Sequence, residues 1–360
     1  MPSLRPVIVY CKPKEGQPTE QPSGYLPEYA HIRNRAVAVK LAALIGGEVS
    51  VAEAVSDGAY YVPDTPLLRV EASRLGITSR DDLFGGVVAA KLHHDKAILH
   101  PLVRRGAPKS ADYSSEFASS VESATLPGFT AFSVSDARDA YERLARQGYA
   151  VRCKDPTQEG GNGQSILKSL RQLQKHMSNQ TAAIGREGIV LEPDIPNATT
   201  LSIGTICLRG KEFSYHGQQQ CTTLGGKPTY GGTTLVMMPG DLEQLQSATP
   251  EPELAHAIGQ ARTVYEAYSL YEPLLSRANF DIVQGYSSNG DFMSGVVDQS
   301  LRIGGASPAE VLAIAELEGN PSLTEAAAQV QITWNPTEQP APQDVIFFEH
   351  PTRRDTARIL

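Results

Sequence analysis

The sequence predicts a mixed α/β protein, grading into α+β, and three observations lead there. Strand-like and helix-like runs alternate over the first ~90 residues, the pattern of a small unit with a parallel sheet. The second half is richer in β runs and holds an Asn-Gly hairpin cue. In 360 residues, 41% are apolar and 20% charged, which suits a soluble globular chain with a sizeable core. At roughly 150 residues per domain, two or three domains are expected.

The elements follow in order. Val7-Ile8-Val9-Tyr10 is a short β-rich run, and a turn-rich segment holding Pro13, Gly16, Pro18, Pro22 and Gly24 comes after it. Val37, Leu41, Leu44 and Ile45 share one helical face, with Gly46-Gly47 as the stop. Ala59-Tyr60-Tyr61-Val62 reads as a second strand before Pro63, and Leu67 to Leu75 as helical. Ser133-Val134-Ser135-Asp136 opens a helix like a capping box, and Ala137, Ala140, Tyr141 and Leu144 form its stripe up to Gly148. Strand runs follow at Tyr149–Lys154 and Gly188–Glu192, with a helix through Leu167, Leu170 and Leu173 between them. Thr200–Cys207 and Thr233–Met238 read as strands separated by a Gly/Gln/Thr-rich loop. A long helix carries Leu254, Ile258, Ala261, Tyr265 and Tyr268. Asn279–Val283 and Ser294–Asp298 look like paired strands around Ser287-Ser288-Asn289-Gly290. Ser307-Pro308-Ala309-Glu310 reads as an N-cap with Pro first in the helix and Glu at N3, and Val345–Phe348 as the last strand.

Charge and composition exclude several functions. Lys+Arg 32 against Asp+Glu 40 leaves a net charge of −8, and no long basic run exists, so nucleic acid is not the expected partner. No stretch reaches the ~18 uninterrupted apolar residues of a membrane span. The N-terminus lacks the apolar core of a signal peptide. Cys11, Cys153, Cys207 and Cys221 are scattered without a CxxC spacing, against a zinc knuckle or a disulfide framework. A cytoplasmic, reduced protein is expected.

Four features carry candidate chemistry. Asp95-Lys96 closes the run Lys91–Lys96. Lys154, at a strand end, precedes Gly160-Gly161-Asn162-Gly163-Gln164-Ser165. Glycines let backbone N–H groups approach phosphate oxygens while the ammonium adds a point charge. The spacing is neither a Walker A loop nor a dinucleotide fingerprint, and a plain strand–loop connection would also contain it. Val190-Leu191-Glu192-Pro193-Asp194-Ile195 is an apolar strand ending in carboxylates, where a nucleotide base or an ordinary strand end fits. Finally, Asp298 and Ser300 are two apart, so on a strand they share a face, and Asp281 on the neighbouring strand adds an oxygen. Such hard oxygens suit Mg²⁺, with Arg302 within reach of a phosphate or carboxylate. Other groups read as structural: Ser307 as a cap, Asp136 and Asp139 as a helix start, Cys153 as packing. His93, His94 and His100 lack a metal-ligand spacing. Tyr215–Gln218 and Tyr230–Gly232 bracket a polar loop that either lines an acceptor pocket or merely connects strands.

The order Asp-Lys, strand Lys, Gly-rich loop, strand Glu and acidic hairpin resembles the ATP-grasp superfamily. Asp298-Gln299-Ser300-Leu301-Arg302-Ile303-Gly304-Gly305 is similar to its Glu-x-Asn-x-Arg-x-Gly-Gly. The chain also resembles an uncharacterised bacterial family placed near that superfamily. The resemblance implies an ATP-grasp fold with a Rossmann-like pre-ATP-grasp domain over residues 1–92. A lid subdomain with the Gly-rich loop would cover 93–200, and a C-terminal subdomain with the metal site 201–360. It implies ATP and Mg²⁺ as cofactors. Lys96, Lys154, Gly160, Gly161, Gly163, Gln164 and Ser165 would hold the nucleotide, with Glu192 and Ile195 at the base. Asp281, Asp298 and Ser300 would bind the metal. Arg302, Lys154 and, more weakly, Arg277 would serve catalysis. The implied activity is an ADP-forming ligase joining a small carboxylic acid to an amine or thiol through an acyl phosphate; a homodimer is common in the superfamily. A phosphotransferase or a non-catalytic nucleotide-binding protein are the alternatives. Asp298 and Ser300 stand for a longer Glu and an Asn, and no acidic ribose ligand is evident near Thr199 and Thr200.

Overall fold

The structure, a computed structural model, describes residues 4–11, 27–50, 58–158, 163–178 and 180–360. The expected parallel unit is present. Arg5–Tyr10 lies between Gly47–Val49 and Tyr60–Pro63, parallel to both. Helix Pro27–Ile45 packs on this sheet through Val37 and Leu41 of the predicted stripe, with Ala38 beside them and Leu44 and Ile45 partly buried against the same core. The predicted helix at Leu67–Leu75 forms only as Arg69–Arg74, because Leu67 and Leu68 pair with Val87 and Val88 in a second small sheet.

A four-stranded antiparallel sheet runs in the order Phe129–Ala131, Ile189–Pro193, Val151–Lys154, Gln164–Leu167. Helices Val134–Arg146 and Leu170–Met177 cover one face, with Ala140, Leu144, Leu173 and Met177 meeting Val151, Cys153 and Leu191. Ser133 caps the first of these, its hydroxyl accepting from Asp136 N at 3.1 Å. Leu167 is the last residue of a strand, so the second helix begins only at Leu170, with Ser169 as its cap.

An eight-stranded antiparallel sheet forms the rest. Its order is Phe292–Ser300, Arg277–Tyr286, Thr199–Leu208, Lys211–Leu224, Lys227–Pro239, Ala326–Trp334, Arg353–Ile359, Val345–His350. Its two faces follow the period-2 alternation: Ile203 packs with Phe280 and Ile258 of helix Pro252–Ala267, whereas Ile206 packs with Phe213 and Ile314 of helix Ser307–Gly319. Three expectations change here. The supposed Gly/Gln/Thr-rich loop is mostly the strand Lys211–Leu224, paired on both sides. Val345–His350 is followed by a further strand, Arg353–Ile359. Ser307 is inside its helix rather than capping it; its Oγ accepts from Gly304 N at 3.0 Å. No helix among the described residues is long and apolar enough to cross a membrane.

Candidate active site

The site lies where the four-stranded sheet faces the edge hairpin of the large sheet. Within that hairpin Asp281 is directly opposite Asp298, and the register shifts at Asp281/Ile282, so that Ile282 next pairs with Val296. Val297 is thus an extra residue, a bulge of the kind that re-aims groups beside functional sites. The two carboxylates share one face, and Gln219 Nε2 donates to Asp281 Oδ1 at 2.7 Å. Burial, and after it the negative charge of Asp298, push the Asp281 carboxyl up to about 7.

Both lysines reach this hairpin. Lys96, at the start of the short turn Lys96–Ile98, lies 3.0 Å from Asp298 Oδ2 and donates to Gln158 O at 2.7 Å. Lys154 ends its strand, lies 2.5 Å from Glu192 Oε1 and donates to Val297 O, the bulge carbonyl, at 3.3 Å. Glu192 Oε2 accepts from His100 Nε2 at 3.2 Å. Burial by itself would raise the Glu192 carboxyl, but the Lys154 ammonium and the His100 bond outweigh it and bring it down to about 2. His100 is gripped closely: a Cβ on Gly128 would come within 2.8 Å of its Nδ1, so only glycine admits the ring there.

The remaining expected residues are distributed unevenly. Gly160 and Gly161, with Asn162, lie outside the described residues. Gly163 has φ +66°, which suits glycine. Gln164 opposes Lys154, whereas Ser165 opposes Cys153 on the other face, where its Oγ is 3.4 Å from His176 Nδ1. Alternation therefore turns the Ser165 side chain away from the cleft. The Glu192 carboxylate is fully engaged, so a base would meet backbone there rather than this side chain. Ile195 packs with Leu126, Met293 and Val297. Arg302 Nη1 donates to Ile303 O at 2.6 Å.

Arg277 and Ser300 are placed differently from expectation. Arg277 is buried, its Nε and Nη2 donating to Glu310 at 3.0 and 2.6 Å. Its Nη1 donates to the carbonyls of Ser300 (3.0 Å) and Arg302 (2.5 Å) and to Ser300 Oγ (3.2 Å). With its donors committed to Glu310 and this backbone, Arg277 positions the Ser300–Arg302 segment instead of meeting substrate. Ser300 Oγ correspondingly accepts from Arg277, whereas the Asp281 and Asp298 carboxylates face each other across the hairpin. Sequence reasoning did not find His100, Gln219 or Glu310 as partners, since each acts across more than thirty residues of chain.

The family described as "Protein of unknown function (DUF3182)" matches residues 20–359. The chain belongs to that family. No curated protein sequence matches it. Among solved structures, N5-carboxyaminoimidazole synthetase from Staphylococcus aureus is similar at TM-score 0.54 and 12% identity, over 99% of this chain and 93% of that one. The biotin carboxylase domain of 2-oxoglutarate carboxylase from Hydrogenobacter thermophilus, solved with magnesium ADP and bicarbonate, is similar at TM-score 0.52 and 14% identity, over 99% and 86%. This DUF3182 chain has the ATP-grasp fold.

Whether magnesium suits the site can be judged from its donors. Among the described residues no three His, Cys, Asp or Glu side chains cluster as a closed metal site. Two facing carboxylates, Asp281 and Asp298, do suit Mg²⁺, which takes one or two carboxylates and completes its shell with water and substrate phosphates.

Proposed function

We propose that the chain is an ATP-dependent, ADP-forming ligase that joins a small carboxylic acid to an amine-type nucleophile. The reading is carried by one observation: Lys96 and Lys154, 58 positions apart in sequence, both contact the 297–298 segment of the acidic hairpin, at Asp298 (3.0 Å) and at Val297 O (3.3 Å). Cations and paired carboxylates around one cleft match what phosphoryl transfer needs, namely positioning and charge neutralisation. The N5-carboxyaminoimidazole synthetase solved with ADP and the biotin carboxylase domain solved with magnesium ADP have the same fold, which supports the reading.

Asp281 and Asp298 would hold Mg²⁺, which when bound neutralises charge on the phosphate oxygens. Lys154, kept in place by Glu192 and His100, supplies a fixed ammonium for the polyphosphate. Lys96 exchanges its contact with Asp298 for a phosphate oxygen. A carboxylate oxygen of the acid attacks the γ-phosphorus, the bond to the β–γ bridging oxygen breaks, and ADP leaves. The amine nitrogen then attacks the acyl carbon, phosphate departs, and the surplus proton goes to solvent. Arg302 holds the substrate carboxylate or the acyl phosphate by a charge-assisted contact.

An ADP-release screen of carboxylic acids paired with amines, run with magnesium, tests this. Phosphate release that depends on both acceptors is the expected result. A phosphorylated product retained on one acceptor would make it a phosphotransferase, and nucleotide binding without ADP a non-catalytic binder. Lys154→Ala and Asp298→Ala should each abolish ADP formation, and full activity in both would remove the site assignment.

A further inference from the structure

The second small sheet and the helix beside it enclose a cavity lined by none of the cleft residues described above. Leu67–Leu68, Gly86–Val88 and Leu274–Leu275 form that sheet, with Val87 between Leu67 and Leu274. Helix Arg69–Arg74 continues directly from the first of these strands. Arg69, Ala72 and Ser73 share one helical face at spacings of three and four, and Gly76, just past the helix, extends that wall. The cavity measures about 270 Å³. Sites for drug-sized ligands run from roughly 300 to 1,000 Å³, so this one suits a small metabolite.

Its floor and its rim differ in chemistry. Ala72, Ile77 and Val87 are buried and Leu274 is half-buried, which makes the floor aliphatic. Arg69 and Glu272 are exposed at the rim, and they do not pair with each other. Arg69 commits one nitrogen, Nη2, to the carbonyls of Tyr271 and Glu272. Its Nε and Nη1 have no partner among the described residues, and neither has the Glu272 carboxylate. Glu272 has φ 46° and ψ 53°, a left-handed conformation uncommon outside glycine, Asn and Asp. That turn ends the segment Tyr268–Tyr271 and brings Glu272 and Leu274 to the same cavity as Arg69. Two opposite charges thus face one opening without neutralising each other, above an apolar floor.

A ligand that answers all three surfaces carries an anion, a cation and a short branched hydrocarbon on one compact frame. Its carboxylate accepts a charge-assisted hydrogen bond from Arg69, its ammonium donates one to Glu272, and its hydrocarbon displaces water from the floor. A simple acid would leave Glu272 unused, and a simple amine would leave Arg69 unused. We propose that this cavity is a binding site for a free α-amino acid with an aliphatic side chain. The site lies outside the ligase reading, since it contains neither the lysines nor the aspartates of the cleft.

Calorimetric titration of the purified chain tests this with three probes: leucine, isocaproate, which lacks the ammonium, and isoamylamine, which lacks the carboxylate. Leucine should bind with a Kd below about 1 mM, and about tenfold tighter than either half-ligand. Glu272→Gln removes a charge that has no partner within the protein. It should weaken leucine about tenfold and leave isocaproate within about twofold of wild type. Ser73→Phe fills the opening from the exposed side of the helix, and should abolish binding of all three while keeping the wild-type Tm. Asp298→Asn, in the other cleft, should leave leucine affinity unchanged. A wild-type chain that does not bind leucine overturns the proposal, as does equal weakening of leucine and isocaproate by Glu272→Gln. Leucine binding that survives Ser73→Phe or disappears in Asp298→Asn would move the amino acid elsewhere and overturn it equally. None of these outcomes bears on nucleotide binding, so the ligase reading stands or falls separately.

Discussion

Lys154 and Lys96 face one cleft, yet they are held on opposite terms. Lys154 and its partner Glu192 are both buried, and His100 completes the carboxylate's second oxygen. Lys96 is as buried as Lys154, but its partner Asp298 has a side chain 31% exposed. One ammonium has a permanent counter-ion inside the protein. The other borrows a carboxylate that a metal would also claim. The lesson concerns the proposed roles: a fixed charge would orient phosphates without rearranging, whereas a shared carboxylate would couple the arrival of cation and nucleotide. In the present arrangement the Lys96–Asp298 and Lys154–Val297 contacts bridge the cleft, so entry of the proposed nucleotide would require them to part.

The largest expected effect comes from breaking the buried pair. Lys154→Ala leaves Glu192 enclosed with only His100, and removing one partner of a buried pair costs about 3–5 kcal/mol. Thermal unfolding of Lys154→Ala should show a clear fall in Tm, and adding Glu192→Gln should restore much of it. An unchanged Tm in the single variant would mean the pair is not what anchors Lys154. Asp298→Asn is the contrasting case. ADP formation should vanish, yet Tm should stay within about 2 °C of wild type, because partly exposed pairs contribute about 0–1 kcal/mol.

Acid titration sharpens the same contrast. The folded Glu192 carboxyl, at about 2, lies below its ordinary value of about 4.3 in an unfolded chain. Its contribution is therefore complete above that ordinary value and disappears as pH falls through the folded one. Denaturant unfolding between pH 5 and pH 2 should show the wild type losing stability that Glu192→Gln never had; parallel curves would contradict the assignment. The smallest effect concerns Asp95, next to Lys96. Burial pushes its carboxyl up to about 7, and its Oδ1 is buried without a hydrogen-bond partner among the described residues. The folded state thus binds this proton more tightly than the unfolded chain, so stability declines as pH rises from about 4 to 7. Asp95→Asn should raise Tm slightly at pH 8 and leave it nearly unchanged at pH 4, as differential scanning calorimetry would register.

Much of this was legible in the chain because it depends on short-range periodicity. The alternation that puts Asp298 and Ser300 on one face, and the Asn-Gly cue between two apolar runs, was enough to expect Asp281 on the neighbouring strand of the hairpin; that it stands directly opposite Asp298 comes from the structure. The loop between them is longer than a two-residue turn, with Ser287 N donating to Asp291 O. Lys154 before a glycine segment was equally local. What escaped depends on distant partners. Ser300 was expected to face a cation, but Arg277 on the adjacent strand takes its hydroxyl, and Glu310 on a helix thirty-three residues away decides where Arg277 points. Lys211–Leu224 has Gly217 and three successive glutamines, poor strand formers by themselves, and becomes a strand because a neighbour on each side supplies its ladder. Ser165 looked like part of a phosphate loop, and a single step of alternation sent it to the opposite face.

The Arg277 clamp carries one more implication. By tying the carbonyls of Ser300 and Arg302 to a glutamate in the last helix, it turns the hairpin side of the cleft into a rigid anvil. No comparable brace crosses from that helix to the strand holding Lys154 among the hydrogen bonds of the described residues. Opening and closing would then be a one-jaw motion: the lysine-bearing sheet travels, and the aspartates wait where they are.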